Sequence, residues 1–143
     1  MFAGSHQLTI DDKGRLAVPA RFRQQLSEQA GLQVVITMGP NRCLELYPAP
    51  EFRKATEQID QMEDREAAEL LNFSFVGLAV ETEIDKQGRV SLPPMLRRLA
   101  QLESSVVLVG QINRFDLWSE PLWNERFSEI QPSLKSAFRN LKR

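Results

Sequence analysis

The stretch Ile10-Asp11-Asp12-Lys13-Gly14-Arg15-Leu16-Ala17-Val18-Pro19 returns 74 positions later as Ile84-Asp85-Lys86-Gln87-Gly88-Arg89-Val90-Ser91-Leu92-Pro93. Over the fourteen aligned positions 10–23 and 84–97, six residues are identical: Ile, Asp, Gly, Arg, Pro and the later pair Arg23/Arg97. Leu16/Val90, Val18/Leu92 and Phe22/Leu96 keep their apolar character. Average composition would match roughly one position in such a window. The chain is therefore an internal duplication, and a duplicated basic turn predicts a duplicated binding surface.

Working outward, each copy reads strand, turn, strand, helix, strand, turn, strand, helix. Leu8 and Ile10 lead into the turn at Asp12-Lys13-Gly14, where Gly14 supplies the positive φ of a tight reversal. Leu16 and Val18 alternate with Arg15 and Ala17 at strand spacing. Pro19 ends that strand and opens a short helix with Phe22 and Leu26 on its inner face. A strand over Leu32–Thr37, a turn at Gly39-Pro40-Asn41 and a strand over Cys43–Tyr47 follow. In the second copy Pro93-Pro94 opens a helix carrying Leu96 and Leu99, then come strands Val106–Val109 and Phe115–Trp118. Leu44-Glu45-Leu46-Tyr47 matches Phe115-Asp116-Leu117-Trp118, and Phe2-x-Gly4 matches Phe75-x-Gly77, so the duplication covers nearly the whole chain. The copies divide at 1–70 and 71–143. One helix is expected from about Glu51 to Leu71, with Phe52, Ala55, Ile59 and Met62 inward. A second is expected from Pro121 to Pro132, followed by a loose basic tail.

The chain has 143 residues, so each copy alone would have a marginal core and the two are expected to share one. The longest mostly apolar stretch, Phe73–Val80, is far short of the roughly 20 residues that span a bilayer, and no basic-then-apolar leader opens the chain. The lone Cys43 excludes an intramolecular disulfide and fits a reducing cytoplasm. A net charge of −1 conceals a patterned distribution. Residues 1–26 carry four cations against two acids, and residues 131–143 carry four cations and no acid. Residues 51–70 reverse this, with seven acids against three cations. Attraction to phosphate depends on the local face, so the neutral total does not exclude DNA.

The repeated D-x-x-x-R phrase, with its apolar alternation and Pro, resembles the MraZ family within the AbrB-like swapped-hairpin superfamily. The resemblance spans Met1-Phe2-x-Gly4, Asp11 to Arg15, Pro19-x-x-x-Arg23, Gly77-x-Ala79, Asp85 to Arg89 and Leu117-Trp118. It implies an α+β chain of two tandem AbrB-like swapped-hairpin β-barrel halves, forming a pseudo-two-fold unit with flanking helices. It also implies a bacterial, cytoplasmic, nucleoid-associated repressor of the division and cell-wall gene cluster, acting on its own promoter. Such proteins assemble into closed homo-oligomeric rings, which would match short direct repeats in double-stranded DNA by avidity.

The resemblance places Arg15 and Arg89 at the DNA surface with Lys13 and Lys86 beside them. Arg can grip guanine O6 and N7 bidentately, and Lys can anchor phosphate. The first turn, with Lys13 beside Arg15, is the stronger candidate. The blander reading pairs each Arg with the Asp four residues earlier, but an exposed pair of that kind stabilises little. Asp11, Gly14, Asp85 and Gly88 are read as turn-structuring. Arg21, Arg23, Arg97 and Arg98 open the short helices, where phosphate contact and a solvated or intersubunit face are equally open. Tyr47, Trp118 and Trp123 read as core or interface aromatics. His6 and Cys43 have no companions at metal-ligand spacing, so no metal or cofactor is expected. No nucleophile and base pair suggests an enzyme. The competing reading is a structural or partner-binding ring whose repeated Arg turns serve subunit contacts.

Overall fold

The computed structural model describes the backbone of residues 1–143 and has a mixed α+β architecture. Its strands are β1 (Ser5–Thr9), β2 (Arg15–Ala17), β3 (Gln33–Met38), β4 (Leu44–Pro48), β5 (Val80–Glu83), β6 (Arg89–Ser91), β7 (Ser105–Gly110) and β8 (Phe115–Ser119). The helices are α1 (Ala20–Ala30), α2 (Ala49–Asp60), α3 (Arg65–Leu71), α4 (Pro94–Leu99) and α5 (Glu120–Phe138), with a π-helical turn over Asn72–Val76. A six-stranded antiparallel sheet runs β1-β7-β8-β4-β3-β5, and β2 and β6 form a separate two-stranded ribbon.

Among these pairings β3–β4 and β7–β8 lie within a copy. The others cross: β1 lies on β7, β5 on β3, β4 on β8 and β2 on β6. The reason lies in burial. Leu8, Ile10, Leu16 and Val18 and their counterparts in the second copy need an apolar partner that a seventy-residue half cannot fully supply. The shared core therefore mixes the copies, with Leu16, Val90, Phe22, Leu96, Leu44 and Leu117 among its most buried side chains. Phe2 closes one end against Phe22 and Phe115, at ring-centroid distances of 6.1 and 4.1 Å.

The reverse face of the sheet is covered unequally. On β4, Tyr47 meets Phe52 of α2 and Phe75 of the π-helical turn. Beside it, Cys43 of the first copy joins Trp118 and Leu122 of the second in a smaller cluster at the foot of α5. Phe75 thus lies outside the environment that Phe2 occupies, although their sequences align. Gly4 has φ +101° whereas the backbone at Gly77 is right-handed helical, and the two chain paths diverge there.

Two helix expectations are corrected. The single helix over Glu51–Leu71 breaks between Asp60 and Arg65, because the Asp64 carboxylate accepts from the Ala67 N–H at 3.0 Å and starts a new helix. Arg65 then reaches back to the carbonyl of Asp60, which the ended helix leaves open, and to that of Met62 in the link. Conversely, α5 does not stop at Pro132 and the expected loose tail is helical as far as Phe138. Pro132 lacks the N–H that would bond the carbonyl four residues back, but that turn is exposed and water can satisfy the carbonyl.

Candidate nucleic-acid interface

Arg15-Leu16-Ala17 of β2 faces Ser91-Val90-Arg89 of β6. Side chains alternate across a ribbon, so Leu16 and Val90, both fully buried, point into the core. Arg15, Ala17, Arg89 and Ser91 consequently share the opposite face. Each Arg stands across from a small residue, and the two occupy diagonal positions about 7–8 Å apart on the backbone. The pseudo-two-fold passes between them.

Both turns are built alike. The Asp11 N–H donates to the Arg15 carbonyl at 2.9 Å and the Gly14 N–H to the Asp11 carbonyl at 3.0 Å. Asp11 Oδ1 accepts from the N–H groups of Lys13 and Arg15, and Oδ2 accepts from Arg15 Nε at 2.9 Å. In the second turn Asp85 Oδ1 takes the N–H groups of Gln87 and Arg89, and Oδ2 takes Arg89 Nε at 3.3 Å. The Arg15 backbone N–H, aided by the guanidinium and the Lys13 N–H, holds the Asp11 carboxyl below its ordinary range. The Arg89 and Gln87 N–H groups and the Arg89 guanidinium do the same for Asp85. Each Asp thus fixes the loop and aims the Arg. The bond uses Nε, which leaves the terminal fork of the guanidinium directed beyond the pair. Both Asp–Arg pairs of the blander reading therefore exist, and they do not consume the part of Arg that would grip a base or phosphate.

Lys13 and Lys86 are exposed on the two turns, and Arg21 and Arg98 are exposed on α1 and α4. Arg23 and Arg97 differ from these. Arg23 Nε donates to the Val18 carbonyl and Arg97 Nε to the Leu92 carbonyl, each at 3.0 Å. Gly14 at φ +77° and Gly88 at φ +79° do what the sequence expects of a reversal. Their missing side chains matter for a second reason, because a Cβ on Gly14 would stand 2.7 Å from Arg97 Cζ and one on Gly88 would stand 2.8 Å from Arg23 Cζ. Neither contact is visible from spacing alone, since each joins one copy to the other.

The aromatic expectations hold: Tyr47 and Trp118 are buried, and Trp123 stacks on Phe127 at 5.3 Å. The sequence reading missed a charged network on the reverse face of the sheet. Glu45 and Asp116 are direct cross-strand partners and both are buried. Arg114 Nε donates to Asp116 Oδ1 at 3.0 Å and lies 3.4 Å from Glu45 Oε2, while the Tyr47 hydroxyl donates to Glu45 Oε1 at 2.8 Å. Burial pushes both carboxyl groups up despite the arginine. The repeat alignment held the signal, because Glu45 and Asp116 occupy equivalent positions in strands that a pseudo-two-fold brings side by side. Burial likewise pushes the Cys43 thiol up to about 12, with the Asp116 and Glu45 charges adding to it. Among the described residues no group of three or more His, Cys, Asp or Glu side chains could hold a metal ion, and no helix is long and apolar enough to cross a membrane.

A family model described as "MraZ protein, putative antitoxin-like" matches residues 1–73 and again 75–143. Over 125 residues the chain is 42% identical to a protein of Methylococcus capsulatus, covering 87% of this chain and 82% of that one. It is 42% identical over 128 residues to one of Halorhodospira halophila, covering 88% and 84% respectively. Over 138 residues it is 38% identical to one of Shewanella sediminis, covering 95% and 91%. All three relatives bear the name "Transcriptional regulator MraZ".

Proposed function

Because the chain belongs to the MraZ family, we propose that it is a sequence-specific DNA-binding transcriptional regulator, a repressor of the division and cell-wall gene cluster that acts on its own promoter. One observation carries the reading. Arg15 and Arg89 stand on one outward face of a two-stranded ribbon, each held by a carboxylate through Nε only. A two-stranded ribbon fits the major groove, where the terminal nitrogens of Arg can take guanine O6 and N7. Lys13 and Lys86 flank them as phosphate anchors, and Arg21 extends the basic surface. The paired Asp side chains would be repelled by phosphate, so their part is to brace. The first turn, with Lys13 next to Arg15, makes the stronger contact.

In this reading residues 1–70 and 71–143 are AbrB-like swapped-hairpin halves of one pseudo-dimer, and the protein works at the bacterial nucleoid in the cytoplasm. Its copies close head to tail into a ring. The acidic helical surface over 51–70 and the basic end over 131–143 give the two joining faces opposite charge. A ring presents several ribbons in series, which suits short direct repeats in double-stranded DNA.

The test is binding to a fragment from upstream of the chain's own gene, followed across salt. With Lys13 and Lys86 each neutralising one phosphate, the log–log slope is about −1.8 per engaged protomer. Affinity then falls about 12-fold between 50 and 200 mM salt. Arg15→Ala should weaken binding about 5- to 150-fold, the equivalent of 1–3 kcal/mol, at an unchanged unfolding midpoint. An Arg15→Ala protein with full promoter affinity and a dissolved oligomer would instead support the partner-binding ring.

A further inference from the structure

We propose that Arg97 and Arg23 are positioning residues acting across the pseudo-two-fold: Arg97 of the second copy holds the first copy's turn, and Arg23 of the first copy holds the second copy's turn. The inference deepens the DNA-binding reading, since it says what fixes Arg15 and Arg89 before any DNA arrives. Its observation is a reciprocal clasp. The Leu92 N–H donates to the Gly14 carbonyl at 2.9 Å, and the Leu92 carbonyl accepts from Arg97 Nε at 3.0 Å. The Arg97 guanidinium then lies over the bare Cα of Gly14, where a Cβ would stand 2.8 Å from Nη2 and 3.0 Å from Nε. On the other side the Val18 N–H donates to the Gly88 carbonyl at 2.9 Å, the Val18 carbonyl accepts from Arg23 Nε at 3.0 Å, and the Arg23 guanidinium covers Gly88.

Each clasp has three parts: a glycine that leaves room, a backbone link through a strand of the opposite copy, and a planar cation that closes over the glycine. Lysine could not replace the cation, because it has neither the flat head nor the Nε donor. Both Arg side chains are half-buried, in contrast to Arg21 and Arg98 next to them. The glycines are thus required twice over, for positive φ and for the guanidinium.

The experiment is amide hydrogen exchange on the free, full-length protein, with DNA binding measured separately. Arg97→Ala should speed exchange at Lys13, Gly14 and Arg15 at least about tenfold, the loss of one charge-assisted hydrogen bond, and move Gln87, Gly88 and Arg89 much less. Arg23→Ala should give the mirror image. Equal acceleration in both turns, or unmoved amides at 13–15, overturns the proposal. Should Arg97→Ala not fold, Arg97→Met keeps an unbranched apolar stem, removes the guanidinium and its Nε bond, and is read on the same amides. In DNA binding, a positioning Arg97 lowers affinity and leaves the salt slope unchanged. A slope smaller by about one charge makes Arg97 a phosphate contact and overturns the positioning role. The exchange arm uses no DNA, so the clasp can stand if the DNA-binding reading fails.

Discussion

Arg114 is the single cation between two buried carboxylates, so Arg114→Met should cost stability in a way that depends on pH. Glu45 and Asp116 face each other across β4 and β8, the central pair that joins the copies. Methionine keeps most of the apolar stem and removes the charge. Breaking a buried ion pair from one side costs about 3–5 kcal/mol. The Arg114 side chain retains 30% of its exposure, so a loss of about 2–3 kcal/mol is expected at pH 7.5. Burial already raises both acids above their unfolded values. Raised carboxyl groups bind protons more readily in the folded state, so the strain of keeping them charged is full at high pH and fades as pH falls through their folded values. Without Arg114 those values rise further and the pair takes up one proton sooner. One proton over two pH units is worth at most about 2.7 kcal/mol, so the deficit should be smaller at pH 5.5 than at pH 7.5. Urea unfolding of both proteins at pH 7.5 and 5.5 measures this. An identical deficit at both values would refute the argument, because it would mean that the acids do not depend on Arg114 for their charge.

Three further outcomes are expected. Asp11→Ala should lower promoter affinity even though it removes a negative charge, because Arg15 loses its brace; fluorescence anisotropy showing tighter binding would make Asp11 a repulsive group instead. Leu16→Ala empties a fully buried site against Val90 of the other copy and should cost about 2–5 kcal/mol in urea unfolding, with both copies lost in one transition. The Cys43 thiol should resist alkylation at pH 8 until the protein unfolds, since burial keeps the thiolate out of reach; labelling at the rate of a free thiol would show that the cluster beneath α5 opens.

Much of this architecture is legible in the repeated phrase, for definite reasons. Alternation at positions 15–18 and 89–92 fixes which side chains go inward, and glycine followed by proline fixes where the chain reverses and where the helix starts. Alternation does not say which strand lies alongside. That β1 chooses β7 over a strand of its own copy depends on shared burial, a property of the folded whole. The clasp of Arg97 on Gly14 was hidden for the same reason. The break before Arg65 had a local signal in Asp64 followed by Arg-Glu-Ala, but the apolar spacing on either side outweighed it. Pro132 does not end α5 because proline ends helices reliably only where the lost hydrogen bond is buried or the ring meets packed neighbours. On an exposed helix, water takes the open carbonyl.

Carrying both copies in one chain has a consequence that a symmetric dimer could not have. Identical chains present identical turns, and a two-fold reader matches a palindrome. Here the turns have diverged: Asp12 and Lys13 occupy the positions of Lys86 and Gln87. Counted over the turn residues from Asp to Arg, the first has two acids and two cations, and the second has one acid and two cations. The bracing Asp, the clasped Gly and the outward Arg are held constant, because all of them serve the geometry that both turns share. Only the two exposed positions vary, and those would reach phosphate or base edges beside the Arg. In the proposed DNA-binding reading, a ribbon with unequal ends would have a direction along the groove and could prefer one strand orientation. Copies placed head to tail would all point the same way, and direct repeats are the DNA pattern that such a row would match.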